Sequence, residues 1–285
     1  MSILIVTDSA SDIEQGELRG VRVLPMTVTI DGTPYRDGLD LTKDEFYRLL
    51  KRSEMPPATS LISPFMFQET FDEIEAAGDE AIVITISSEL SGTYQSAKAV
   101  AEGRKGISVI DSLQVTAPQK LLVLRALQLV LLGLTRDEIV RELEEEKQRI
   151  VVYAAVDTLE YLLKGGRITK SSALIGGVIG IKPILTLQDG KLIPIGKAHG
   201  SKKSHEFLNH KVREVGGIDF AMPYAVGYSG ASMSNLKKYL DSNKEILSTV
   251  PHSPDIVQIG SAVGTHAGPG AVLVTFFKKA GEPAD

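Results

Sequence analysis

The chain has 285 residues, of which 43% are hydrophobic and 24% charged, and its formal net charge is −5. This length suits two α/β domains of roughly 140 residues each, and the weakly acidic balance argues against nucleic acid as a partner, because phosphate binding leaves a basic footprint. Cysteine is absent, which excludes disulfides, a thiolate nucleophile and a cysteine metal site. Since its start lacks the features of a secretory signal, the protein is expected to be soluble and cytoplasmic.

The first half of the chain alternates strand-like and helix-like segments. The apolar run 3–7 predicts a first strand, and the polar segment 8–12 follows where parallel α/β sheets place their ligand-facing loops. Asp8 is either a catalytic acid or, more simply, an acceptor for backbone donors of that turn. Residues 21–30 predict a second β segment, and the capping box at 42–45 predicts a helix start. This alternation predicts a mainly parallel sheet flanked by helices.

Two hydroxyl-bearing segments lie on either side of the helix that precedes the central strand. Consecutive prolines predict a stiff, non-helical loop that presents Thr59 and Ser60. Residues 81–86 predict a buried strand that leads through a hydroxyl-rich turn into a helix, whose unpaired N–H groups would suit a carboxylate or phosphate. In that turn, Gly92 allows a ligand to approach the main chain. Ser91 either donates to the ligand or merely caps the helix.

The second half of the chain has a different pattern. Small residues alternate with aliphatic ones at 171–181, which either allows close helix packing or leaves space for a long ligand. The Asp-Gly pair at 189–190 predicts a β-hairpin, and this antiparallel feature marks a new unit. We therefore expect an α/β protein with two domains, the first with a mainly parallel sheet at 1–160 and the second with a mixed sheet at 161–285.

The end of the chain supplies the histidine of interest. Residues 256–263 predict a strand that ends in a glycine-rich loop at 264–270, and His266 in that loop is either incidental or a ligand contact. Motifs for a phosphate loop, a dinucleotide-binding turn, a zinc protease or a nucleophile elbow are absent from the sequence. A hydrolase built on Ser229 and His266 stays open. The remaining inventory of hydroxyl-bearing turns, one histidine and an arginine after a glycine pair favours binding of an anion.

These segments together resemble the DegV family of fatty-acid-binding proteins, which includes the acyl-carrier subunits of bacterial fatty acid kinase. The resemblance covers nearly the whole length, and its most specific parts are SGTYQSA followed later by THAGPGA. The matching segments are the first strand with Asp8-Ser9, the Thr59-Ser60 loop, SSELSGTYQSA at 87–97, Asp111-Ser112, GGRI at 165–168 and GTHAGPGA at 264–271.

The resemblance implies a long-chain fatty acid bound between two α/β domains. The head-group site that it implies consists of Thr59, Ser60, Ser91, Gly92, Arg167 and His266. Within this set, Thr59 and Ser91 would hold the carboxylate, and Arg167 and His266 would border it. The acyl chain would run into the C-terminal domain along Ile168, Leu174, Ile175 and Ile179.

The resemblance also implies a carrier with no turnover and no cofactor of its own. Such a carrier presents the acid to a catalytic kinase subunit for acyl phosphate formation, which feeds phospholipid synthesis, and makes at most transient membrane contact. The loop at 59–63 departs from the family, since it reads Thr-Ser-Leu-Ile-Ser where Thr-Ser-Gln-Pro-Ser is common, and 199–204 has lysines where arginines are usual. Lysine cannot reproduce bidentate arginine contacts, which bears on the kinase partner. The alternative is a hydrolase or phosphotransferase that uses a serine with His266 on an acyl substrate.

Overall fold

The computed structural model describes residues 2–168, 180–243 and 251–280. The strands are β1 (Ile3–Asp8), β2 (Val21–Leu24), β3 (Thr27–Ile30), β4 (Thr33–Arg36), β5 (Ala58–Ser60), β6 (Glu80–Thr85), β7 (Ile107–Asp111), β8 (Ile150–Ala155), β9 (Ile181–Gln188), β10 (Lys191–His199), β11 (Tyr224–Tyr228), β12 (Asp255–Gln258) and β13 (Val272–Phe277). The helices are α1 (Lys43–Leu50), α2 (Pro64–Ala76), α3 (Thr93–Ala101), α4 (Ala117–Leu131), α5 (Arg136–Glu146), α6 (Glu160–Lys164), α7 (Gly200–Glu214), α8 (Ser234–Ser242) and α9 (Ser261–Ala267).

A four-stranded parallel sheet forms the centre of the N-terminal part. Its strand order is β2-β1-β6-β7, and all three pairings are parallel, which confirms the prediction of a parallel sheet. Alternate residues of each strand point to opposite faces. On β6, Val83 packs with α2 and α3, whereas Ile82 packs with α4 and α5. Both faces of the sheet are therefore covered, as parallel sheets require.

A small antiparallel sheet with the order β4-β3-β5 corrects two predictions. Residues 21–30 form two strands rather than one segment, because a proline separates β2, which joins the parallel sheet, from β3, which joins the small sheet. Thr59 and Ser60 lie on β5 rather than in a loop, and they pair with Val28 and Thr27. The extended geometry that the preceding prolines impose is also that of an edge strand. Local sequence does not show the partner strand.

The C-terminal sheet has six strands in the order β10-β9-β8-β13-β11-β12. Strands β11 and β12 are parallel and the other pairs antiparallel, which confirms the mixed sheet. The predicted hairpin joins β9 to β10, and its residues Asp189 and Gly190 have φ of 49° and 77°, the left-handed values of a two-residue hairpin turn. Strand β8 belongs to this sheet although it precedes the boundary predicted near residue 160.

The tip of this hairpin contacts the N-terminal part of the chain. Ser87, just after β6, donates from its Oγ to the carbonyl oxygen of Gly190 at 2.9 Å. Lys191 Nζ also lies 3.4 Å from Glu89 Oε2, but exposed ion pairs of this kind contribute little. Because Ser87 is fully buried, its hydroxyl provides the better protected of the two links.

Helix α9 occupies a stretch for which the sequence predicts a strand and a glycine-rich loop. Strand β12 ends at Gln258 and residues 261–267 are helical, so the prediction of a strand up to residue 263 is wrong. The first backbone N–H groups of α9 donate to the carboxylates of Asp12 and Asp37. Capping by residues so distant in sequence is invisible in a local pattern. His266 consequently lies on a helix.

Candidate functional site

The main cavity lies where the two large sheets meet. Its empty space, open solvent at the mouth included, amounts to about 900 Å³. One wall is formed by residues that follow the carboxyl ends of three parallel strands, namely Ala10, Ile86 and Val115. Open α/β sheets bind ligands beyond these ends. The opposite wall is a face of the six-stranded sheet.

The apolar character of that opposite wall follows from the two-residue period of a strand. On β8, Val152 and Ala154 line the cavity, whereas Tyr153 and Ala155 pack on the other face in the same cluster as residues of α7 and α8. On β13, Leu273 lines the cavity in the same way. Sequence reasoning missed this wall because both faces of these strands are apolar, so no alternation shows which face borders the cavity.

The polar side chains that offer free groups to the cavity are gathered at one end. Thr59, Ser91, Arg167 and His266 all line it. Thr59 Oγ1 and His266 Nε2 form a hydrogen bond of 2.8 Å. Two further threonines of the lining, 116 and 186, already donate their only hydroxyl hydrogen, to the carboxylate of Asp12 and the carbonyl of Val152. The cavity therefore has one hydrogen-bonding end, and the rest of its lining is apolar apart from these two threonines.

Ser91 directly precedes Gly92, the N-cap residue of α3. Its Oγ accepts from the backbone N–H of Thr93 at 3.3 Å and shares a second hydrogen bond of 2.9 Å with Thr93 Oγ1. Thr93 Oγ1 itself accepts from the backbone N–H of Ile62. When Thr93 donates to Ser91, the Ser91 hydroxyl hydrogen is left for a ligand. The arrangement thus fits the ligand-donor interpretation of Ser91.

His266 is neutral at physiological pH. Burial, together with the positive charge of Arg167, lowers the pKa of His266 to about 4. Its Nδ1 is buried and has no hydrogen-bond partner among the described residues, since it packs against Gly165, where an added Cβ would lie 2.1 Å away. The imidazole therefore fits beside residue 165 only because glycine has no side chain.

Arg167 brings a positive charge to the same end of the cavity. Its guanidinium donates to the carbonyl oxygens of Leu90 at 3.1 Å and Gly165 at 2.6 Å. No carboxylate of the described residues lies within ion-pair distance of it. Burial lowers the pKa of Arg167 from its usual value, but arginine stays charged at neutral pH. A bound anion would supply the counter-charge.

The remaining predicted site residues lie away from the cavity lining. Ser60 is exposed on β5, on the opposite face from its neighbour Thr59. Gly92 is exposed at the start of α3, and a Cβ there would lie 2.9 Å from Leu61. Ile168 is buried in the cluster of Leu162 and Leu185, two residues that do line the cavity. The other predicted tunnel residues, Leu174, Ile175 and Ile179, lie outside the described residues.

An outer pocket shares His266 with the main cavity. It contains about 720 Å³ of empty space and is lined by Glu54, Met55, Glu160 and Lys164 among others. These four side chains are exposed. One imidazole therefore stands between the polar end of the cavity and the protein surface.

Neither a metal site nor a membrane-spanning helix is present in the described ranges. They contain no cluster of three or more histidine or acidic side chains suited to a metal ion. No helix in them has the length and apolar character needed to span a bilayer.

Ser229, the serine of the hydrolase alternative, donates to Gly268 O at 2.6 Å and accepts from Ala271 N at 2.9 Å. Its hydroxyl thus supports the turn after α9, and it does not line the cavity.

Fold and cavity together define an α/β protein with two large sheets and an apolar cavity, polar at one end, between them. The model of a known family matches residues 2–279, and its description reads "uncharacterised protein, DegV family". The chain belongs to the DegV family. The resemblance found in the sequence is thereby confirmed.

Individual relatives extend this finding. A DegV domain-containing protein of Caldanaerobacter subterraneus is 38% identical over 285 residues, covering 97% of this chain and 99% of the relative. A DegV family structure from Thermus thermophilus, described as showing fatty acid binding, has a TM-score of 0.86 at 30% identity and covers 97% of this chain and 100% of its own. A stearic acid-binding protein from Eubacterium ventriosum has a TM-score of 0.84 at 28% identity and covers 98% and 99% of the two chains.

Proposed function

We propose that this protein binds a long-chain fatty acid, with the carboxylate held by Thr59 and Ser91 beside His266 and Arg167, and the acyl chain in the apolar remainder of the cavity. The single observation that carries the proposal is the gathering of hydrogen-bonding groups and Arg167 at one end of an otherwise apolar cavity. An amphiphile with an acidic head and a long tail has the same arrangement, a polar group at one end and an apolar remainder. The relatives described as binding fatty acid and stearic acid support this ligand class.

The tail supplies most of the affinity in this proposal. Each buried methylene contributes about 0.8 kcal/mol, so some 15 of them give a gross gain of roughly 12 kcal/mol before ordering costs. The carboxylate would lose its hydration and must be hydrogen-bonded in return. Two hydroxyls and the charge of Arg167 would supply that compensation.

The tautomer of His266 decides what Thr59 can offer. If Nε2 carries the hydrogen, it donates to Thr59 Oγ1, and the threonine hydroxyl is free to donate to the ligand carboxylate. If Nδ1 carries it, an N–H is buried against Gly165 and Thr59 must donate to the imidazole instead. A carboxylate accepts hydrogen bonds and cannot donate. We therefore assign the Nε2–H tautomer to the complex with a fatty acid.

We also propose that the bound acid is presented to a partner kinase. A carboxylate oxygen would attack the γ-phosphorus of ATP held by the partner, ADP would leave, and an acyl phosphate would remain in the same site. The outer pocket at His266 supports this step because it brings the head group close to solvent. Arg167 would balance the added negative charge. Exposed Lys202 and Lys203 at the start of α7 offer cations to an acidic partner surface.

A carrier fits the geometry better than a serine hydrolase. The hydrogen-bond partner of His266 Nε2 is Thr59 rather than a serine, and the lowered pKa of His266 makes it a poor general base. No carboxylate of the described residues orients Nδ1. We therefore assign no turnover to the isolated protein.

Binding is tested with the double variant Thr59→Ala, Ser91→Ala. A hydrogen bond to a charged group contributes about 1.5–3 kcal/mol, so stearate binding measured by calorimetry is expected to weaken at least about a hundredfold. Ser60→Ala is the matched control, because it removes a hydroxyl from the opposite face of the same strand. Unchanged affinity in the double variant would contradict the proposal, as would native mass spectra of the parent protein that never show a bound fatty acid.

The kinase step is tested separately. Loaded protein is mixed with the kinase subunit of a family system and ATP, and acyl phosphate is trapped with hydroxylamine. Product is expected only when all three components are present, and Lys202→Glu with Lys203→Glu is expected to suppress it. Product without the kinase would favour the enzyme alternative instead.

A further inference from the structure

We propose that Asp37, assisted by Asp12, is a positioning residue for the fatty-acid head group, because it fixes the helix that carries His266. The inference rests on the proposed function, since it concerns the same head-group site. Neither aspartate contacts the cavity directly. Both act through α9, whose last turn carries His266.

The start of α9 has no cap from its own sequence. Its N-cap residue is Gly260, which lacks a side chain, so the orphan N–H groups of the first turn need other partners. Gly260 N donates to Asp12 Oδ1 at 2.7 Å. Ser261 N and Ala262 N donate to the two carboxylate oxygens of Asp37 at 3.2 and 3.3 Å. Asp37 thus binds two successive backbone N–H groups at once.

The Ser261 hydroxyl adds a third bond to Asp37, and it shares the Oδ1 acceptor with the Ser261 backbone. Asp37 is only 4% exposed, and among the described residues it has no ion-pair partner. The partial positive charge of the helix N-terminus takes the place of a cation. A buried carboxylate that depends on one helix end for its solvation is strongly coupled to where that end lies.

The middle of α9 is held by direct packing against α1. A Cβ on Gly264 would lie 2.7 Å from Phe46 Cε1 and 2.8 Å from the Tyr47 hydroxyl. The same hydroxyl donates to Ile259 O at 2.9 Å, just before the helix. Residues of α1 therefore restrict sideways movement of α9, while the two aspartates fix its axial position and its rotation.

His266 lies five residues after Ser261, which in an α-helix corresponds to about 7.5 Å along the axis. Over so short a distance a helix moves as a rigid unit. A rotation or shift at the capped end therefore reaches the imidazole undiminished, and its bond to Thr59 is only 2.8 Å long. The far end of α9 is anchored separately, by Ser229 Oγ donating to Gly268 O.

The titration of His266 reports its position without any ligand. The charged groups around the ring are Arg167 on the cavity side and, in the outer pocket, Glu54, Glu160 and Lys164. None of them is altered in the variants proposed here. A ring that leaves its buried place regains water, and its titration midpoint moves toward the ordinary value for histidine.

The test uses Asp37→Asn, which keeps one acceptor oxygen but loses the charge and the second acceptor. NMR titration of the apo protein, with the His266 resonance assigned through His266→Gln, is expected to show a higher midpoint than the parent. Stearate affinity is expected to fall about tenfold. In a His266→Ala background the same change is expected to cost less than about twofold, because the residue that transmits the effect is gone.

Asp40→Asn is the matched control. Asp40 lies in the same connection before α1 but is exposed and pairs with Arg36 at 2.7 Å, so no change in titration or affinity is expected. Ser229→Ala separates the two anchors of α9: a shift there with none in Asp37→Asn would overturn the inference. Equal loss of affinity in both His266 backgrounds would overturn it too.

If Asp37→Asn fails to fold, Ser261→Ala replaces it, because this variant removes one bond to Asp37 and leaves both carboxylates in place. A smaller rise of the His266 midpoint is expected, and an unchanged midpoint overturns the inference. If the parent protein binds no fatty acid, the proposed function fails, whereas the titration still decides whether Asp37 positions His266.

Discussion

The two ends of the cavity are built in different ways. At the polar end, Thr59, Ser91, Arg167 and His266 come from four separate segments. One hydrogen bond joins Thr59 to His266, and the charge of Arg167 acts on the imidazole. One wall of the apolar remainder is the face of three neighbouring strands, β9, β8 and β13, that share one hydrogen-bonded sheet. Recognition of a head group thus depends on a few replaceable contacts, whereas accommodation of a tail depends on the shape of a continuous wall. Substitutions at the two ends should therefore differ in how much they weaken ligand binding.

The largest effect is expected from filling the space beside the wall. Ala154 on β8 borders the cavity with a single methyl group, so Ala154→Phe would occupy volume that the tail needs. We expect stearate binding, measured by calorimetry, to weaken at least about a hundredfold, since each excluded methylene loses about 0.8 kcal/mol and roughly four of them give about 3 kcal/mol.

Ala77→Phe is the control for this substitution, because Ala77 is exposed at the end of α2. It should bind stearate like the parent. Thermal unfolding verifies that both variants are folded. Full stearate affinity in a folded Ala154→Phe protein would show that the tail does not lie along this wall.

A smaller effect is expected at the charged group of the polar end. Arg167→Gln removes the positive charge but keeps hydrogen-bond donors for the Leu90 and Gly165 carbonyls. Loss of one charge-assisted contact should weaken stearate binding about tenfold, and the affinity of the variant should depend less on salt. Lys164→Gln, at an exposed cation paired with Glu160, should leave the affinity unchanged. If Arg167→Gln and Lys164→Gln weakened stearate binding equally, Arg167 would act only through long-range electrostatic attraction and not through a direct contact.

Effects of a different kind, on stability rather than affinity, are expected in the pH dependence of unfolding, and they have opposite signs at two sites. The pKa of His266 is lowered to about 4, so the unfolded chain binds the proton more readily, and stability contributed here is complete above about pH 6.5 and is lost as pH falls toward 4. Burial raises the pKa of Asp12 to about 7. The folded state keeps that proton longer, so stability from Asp12 is greatest below about pH 4 and declines as pH rises toward 7.

Chemical denaturation across pH 4 to 7 measures both contributions. Relative to the parent, His266→Gln should gain stability as the pH falls, whereas Asp12→Asn should gain stability as the pH rises. Asp40→Asn again serves as an exposed control with little change in this window. Parallel pH profiles for the parent and both variants would contradict the assigned environments.

The parts of the fold that the sequence predicts are those with a local cause. The hairpin turn at Asp189-Gly190 and the capping box at Thr42 depend on adjacent residues, and both are present. Strand β5 and helix α9 depend on partners far away, Val28 for the one and Asp37 for the other. Their sequences alone, proline-flanked and glycine-rich, indicate loops.

The same distinction between local and distant causes applies to the candidate site. Residues alone indicate an anion site near Ser91, through the turn that opens a helix, but they do not connect it with Thr59, Arg167 or His266. The family resemblance makes that connection, and the structure places all four on one cavity. The wall around Ala154 escapes both kinds of reasoning, because uniformly apolar strands do not indicate which side is hollow.

The contact between Ser87 and Gly190 has a mechanical consequence. Strands β9 and β10 form one edge of the six-stranded sheet, and the Ser87 hydroxyl holds the tip of their hairpin to the end of β6. This stretch of cavity wall is therefore fixed both by the sheet and at its tip. A bulkier or bent ligand would have to push the β9–β10 hairpin outward, which its hydrogen-bonded strand pairing resists. The substitution Ser87→Ala would remove this hydrogen bond, so the hairpin would be held mainly at its sheet end.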